Sequence, residues 1–84
     1  MPKTEYIDLY DISNLQRTIM VFVGEWVYLQ KTPIPQKEIV EKMKSMGIKD
    51  FTAVNAINAL LRKGYLRRAV ITSNKTFYVQ LRSV

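Results

Sequence analysis

The sequence predicts an α+β domain: three helices followed by a two-stranded β-hairpin. Two observations carry this. Apolar residues recur at spacings of three and four through three segments, and each segment ends at proline or glycine. The last twenty or so residues then switch to β-branched and aromatic runs around a turn-like Ser73-Asn74-Lys75. A third observation concerns charge. Residues 1–41 carry four basic against six acidic side chains, and residues 42–84 carry nine against one, Asp50.

An arm, residues 1–11, precedes the first helix. Asp11 or Ser13 can cap a helix over 12–30. Leu15, Ile19, Phe22, Val23, Trp26, Val27 and Leu29 mark its apolar stripe, while Met20, Val21 and Tyr28 fall outside it. A helix apolar around most of its circumference is buried around most of it. One small domain offers little to cover it, so a two-fold partner is expected. Ile19, Met20, Phe22, Val23, Trp26 and Val27, with the arm, would form that homodimer interface. The competing reading is a helix at the centre of the fold with the arm over its back. Phe22, Trp26 and Tyr28 read as packing, not as a stacking platform.

Thr32-Pro33-Ile34-Pro35 ends this helix, because proline removes amide donors and restrains the residue before it. Pro35 suits the first turn of a second helix over 35–46, with Ile39, Val40, Met43 and Met46 inward. Lys37, Glu38, Glu41, Lys42 and Lys44 face solvent. Gly47 supplies a left-handed cap. Ile48-Lys49 is the turn into a third helix over 50–63, closed by Gly64. Ala53, Val54, Ile57, Leu60 and Leu61 fall on one side of it; Thr52, Asn55, Asn58, Ala59, Arg62 and Lys63 fall on the other. The hairpin covers 65–82. Tyr65 and Leu66 pin it to the third helix, Phe77, Val79 and Leu81 face inward, and Tyr78, Gln80 and Arg82 face outward.

At 84 residues the chain is one domain with a modest core. It has no cysteine and no histidine, which excludes disulfides, thiolate chemistry and the usual zinc sites. No cofactor or small-molecule ligand is expected. The polar, acidic start lacks the basic and apolar regions of a secretory signal. The longest apolar run, 19–29, contains Gly24 and Glu25 and falls short of the about 20 residues a bilayer requires. A cytoplasmic, nucleoid-associated location is the expectation. The net charge of +6 points to nucleic acid as partner, ahead of an anionic membrane surface, and no membrane partner is expected.

The outer face of the third helix carries the functional expectation. Solvated helix faces usually carry Glu and Lys pairs, yet no glutamate follows Glu41. Asparagine is a poor interior helix former, but Asn55 and Asn58 stand three apart here. An asparagine amide donates and accepts in one plane, which matches adenine's major-groove edge. Ala59 would allow close approach to a thymine methyl, and Thr52 could bond a phosphate or a base. Lys49 flanks the turn, and Arg62 and Lys63 end the helix. Arg67 and Arg68 alternate faces on the hairpin, and Lys75 lies at its tip, within reach of a phosphate or the minor groove. The bland alternatives are local bonds for the asparagines and a solubility role for the hairpin charges.

The segments IPQKEIVEKM (34–43) and FTAVNAINALLRKGYL (51–66), followed by the hairpin, resemble the winged helix-turn-helix superfamily. The Leu-Leu-Arg-Lys-Gly-Tyr-Leu junction (60–66) looks like that of small bacterial and archaeal regulators. The resemblance covers about 50 residues, and the hairpin loop is short for the family. It implies a third helix in the major groove, a wing on backbone or minor groove, and a first helix that builds a dimer. The expected function is sequence-specific binding of double-stranded DNA by a homodimeric transcriptional regulator. Its DNA contacts would be Lys49, Thr52, Asn55, Asn58, Arg62, Lys63, Arg67, Arg68 and Lys75. The alternative is a winged-helix interaction subunit of a transcription, replication or ribosomal assembly. An enzyme is not expected, since no two acids are placed for paired work.

Overall fold

The computed structural model describes residues 12–71 and 75–80. The elements are α1 (Asn14–Gln30), β1 (Ile34–Pro35), α2 (Gln36–Ser45), α3 (Asp50–Lys63), β2 (Leu66–Ile71) and β3 (Thr76–Gln80). Three helices therefore pack with a three-stranded antiparallel sheet of order β1-β3-β2. The sequence predicts two strands. The third arises because Ile34 and Pro35 pair with Tyr78 and Phe77 before α2 begins. Pro35 precedes α2 as its N-cap residue instead of lying in its first turn, and its missing N–H is harmless on an edge strand. The arm, 1–11, and the turn and tail residues 72–74 and 81–84 lie outside the described residues, and with them the expectations for Asp11, Ser73, Asn74, Leu81 and Arg82.

Local chemistry sets the helix ends. Ser13 caps α1: its Oγ accepts from the Gln16 N–H at 3.1 Å, and Gln16 Oε1 accepts from the Ser13 N–H at 3.2 Å. Gly47 and Gly64 take φ values of +84° and +81°, which L side chains rarely adopt. Beyond each glycine the chain folds back on the helix. The Ile48 N–H donates to the Met43 carbonyl at 3.0 Å, and the Tyr65 N–H to the Leu60 carbonyl at 2.9 Å. These two closures fix where α3 starts relative to α2 and where the hairpin leaves α3.

α1 is the central element, in contact with both other helices and with β1 and β3. Ile19, Met20 and Val23 are wholly or almost wholly buried in the chain's own core, beside Ile34, Ile39, Met43, Ile57 and Leu60. This corrects the expected homodimer surface: those three side chains have none left to offer. The sheet supplies the cover that a helical stripe alone cannot reveal. Phe22, Trp26 and Val27 are half-buried against the same core, with the Phe22 and Trp26 rings edge to face at 6.4 Å. The large apolar side chains that α1 turns to water are Val21, Tyr28 and Leu29, the last assigned inward by its spacing. Met46, also expected inside, is 53% exposed, because α2 ends at Ser45 and the chain turns away.

The facing of β3 also differs from expectation. Tyr78 is 2% exposed, and its hydroxyl donates to Gln36 Oε1 at 2.7 Å. Gln80, on the same face, leans over α1: a Cβ on Gly24 would come within 2.6 Å of Gln80 Oε1. Val79 pairs with Arg67 on the opposite face. A tyrosine has an apolar body and a polar tip, so it fills an inward position that alternation assigned to its neighbours. The strand pair is irregular after Arg68, where Ala69 has no partner on β3. Among the described residues no helix is long and apolar enough to cross a membrane.

Candidate nucleic-acid interface

α3 packs through Ala53, Ala56, Ile57 and Leu60, all buried. Ala59 joins them at 9% exposed and is not on the open face. The packed arc is wider than the clean apolar stripe because α1, α2 and β2 all lie against α3. The open face is correspondingly narrow. It holds Phe51, Asn55, Asn58 and Arg62 at spacings of four, three and four, with Thr52 on its flank, and every one of them is exposed. At about 100° per residue the four side chains of the stripe lie within roughly 60° of one another.

Among the described residues, no hydrogen bond or ion pair engages Thr52, Asn55, Asn58 or Arg62. The asparagines therefore do not make the local bonds that would account for them structurally. Lys49, at the N-cap of α3, is exposed and adds positive charge to the turn. Spacing alone treats Phe51 only as a helix opener. It is 70% exposed and stands at the head of the stripe. Its position four residues before Asn55 is the one signal of this in the sequence.

The remaining basic residues divide. Lys63 is half-buried, and its Nζ donates to Gln16 Oε1 at 3.1 Å, joining the end of α3 to the capped start of α1. Arg68 lies opposite Tyr78 on the helix-packed face, and Arg67 lies opposite Val79 on the other. Burial pushes the Tyr78 hydroxyl above its ordinary value of 10.0, and the charge and hydrogen bond of Arg68 draw it partly back. Arg68 is exposed beside a structural tyrosine, and Arg67, also exposed, lies on the other face of the hairpin. Lys75 is exposed at the start of β3 and lines a cleft of about 770 Å³ with Asp50, Glu38 and Glu41. The cleft mixes acids with lysines, unlike the acid-free stripe along α3.

The arrangement offers a narrow rod of amide and hydroxyl groups with an aromatic ring at one end and a guanidinium at the other. From Phe51 to Arg62 it rises roughly 16 Å. Its groups can donate and accept hydrogen bonds and, through Arg62, carry positive charge. No family model matches this chain, and no curated protein or solved structure matches it.

Proposed function

We propose that this chain is a sequence-specific double-stranded DNA-binding protein of the winged helix-turn-helix type, acting as a homodimeric transcriptional regulator. The observation that carries the reading is the open face of α3: Thr52, Asn55, Asn58 and Arg62 are exposed, and among the described residues none is engaged, on a helix followed by no acidic residue. Exposed asparagines lower helix stability and return nothing to this fold. In a major groove each can pair bidentately with adenine, and Arg62 can pair with guanine or grip a phosphate. Lys49, Arg67 and Lys75 contribute phosphate contacts that orient the helix and carry no sequence information themselves. Lys63 and Arg68 support the interface by holding α3 and β3 in place.

The homodimer surface belongs on the outward side of α1, where Val21, Tyr28 and Leu29 are exposed, and not on Ile19, Met20 or Val23. The same apolar side chains also favour a second reading, an interaction subunit whose α1 binds a different protein. Sedimentation of the purified chain separates them: a homodimer is expected, and a monomer at high concentration removes it.

Binding to duplex DNA across a salt series tests the main reading. Affinity should fall steeply with salt, by about 0.9 log unit per log unit of salt for each phosphate contact released. Absence of duplex binding even at low salt overturns it.

A further inference from the structure

Phe51 is exposed at the head of a stripe that is otherwise polar or charged. A phenylalanine ring in water forgoes the gain of burial, and among the described residues Phe51 is not part of the core or packed against it. The stripe it heads is flanked by Lys49 and ends in Arg62, and no acid follows Asp50. That charge suits a polyanion. The major-groove edges of B-DNA are polar except for one group, the C5-methyl of thymine.

We infer that Phe51 is a specificity-determining residue that packs on a thymine methyl while Asn55, one turn further along α3, pairs with adenine. This rests on the proposed DNA-binding reading and extends it to a base preference. The Asn55 amide N–H would donate to adenine N7 and its carbonyl would accept from the N6 amino group. The Phe51 ring would remove the neighbouring methyl from water. The two residues together select A·T pairs at the end of the site contacted by the first turn of α3. Arg62, three turns away, reads a different pair or a phosphate.

Uracil differs from thymine only in lacking that methyl, so the test is chemical. A duplex enriched by the protein from a random pool is remade with each thymine replaced singly by deoxyuridine. Affinity is read by fluorescence anisotropy at fixed salt for the full chain and for Phe51→Ala. The full chain should lose about fourfold at one thymine of each half-site, the value of one buried methyl group. Phe51→Ala should bind the thymine and uracil duplexes equally at that position. Its thermal unfolding should match that of the full chain, since the ring is exposed. Equal binding of every uracil duplex by the full chain overturns the inference while leaving DNA binding intact. So does a uracil loss that persists unchanged in Phe51→Ala. Failure to bind or enrich any duplex overturns the DNA reading itself, and the role of Phe51 with it.

Discussion

α1 and α3 meet in one core and differ in what they leave outside it. α1 turns Ile19, Met20 and Val23 inward and exposes Val21, Glu25, Tyr28 and Leu29. α3 turns Ala53, Ile57 and Leu60 inward and exposes Phe51, Thr52, Asn55, Asn58 and Arg62. Packing dictates the inner faces and would accept many outer ones. The outer face of α1 mixes apolar and charged groups, as a helix does when another protein surface can cover it. The outer face of α3 is rich in amides and, beyond Asp50 in its first turn, free of acids, which suits a polar edge on a polyanion.

Truncation should separate the two sides of α1 most strongly. Ile19→Ala should cost about 2–5 kcal/mol in urea unfolding, because it leaves a cavity in the core. Val21→Ala should cost under about 0.5 kcal/mol. Similar costs at both positions would mean that the two faces of α1 are not distinct. On α3, Asn55→Ala or Asn58→Ala should weaken binding to an enriched duplex by about 1–3 kcal/mol. The same changes should leave folding stability unchanged or raised by about 0.5 kcal/mol, as alanine is the better helix former. A stability loss in either variant would make these residues structural.

Two adjacent residues at the end of α3 should behave differently. Lys63→Ala breaks the bond to Gln16 and should cost about 0.5–1.5 kcal/mol of stability. Arg62→Ala should instead lower the salt dependence of duplex binding by about one phosphate contact, if its partner is a phosphate, with stability unchanged. The smallest effect concerns Tyr78. Its hydroxyl is held above the ordinary value of 10.0, so the folded chain retains that proton more tightly than the unfolded chain. That stabilisation is fully present below about pH 10 and is lost as pH rises through the folded value. Tyr78→Phe should therefore flatten the alkaline fall in stability, after a loss of about 1 kcal/mol at neutral pH from the bond to Gln36.

Much of the fold is legible in the residues themselves. Ala53, Ile57 and Leu60, with Gly64 behind them, define α3 because its helical period and its stop signal coincide. Ser13 and Gly47 likewise announce their turns. The phase of β3 is not legible: Phe77-Val79-Leu81 and Tyr78-Gln80 share one period, and nothing local says which set the helices meet. The cover over α1 is hidden for a related reason, since β1 is two residues long and pairs with a strand some forty positions later. For the candidate site, Thr52, Asn55, Asn58 and Arg62 stand out through the absence of acids around them. Ala59 and Lys63 cannot be separated from them by spacing, because burial and the Gln16 contact depend on where α1 lies.

Selection of bound duplexes from a random pool reads directly whether α3 recognises DNA sequence. A two-fold symmetric site should be enriched, with A·T pairs in each half and half-sites about one helical turn apart. A pool that stays random, with no duplex retained at low salt, would contradict that recognition.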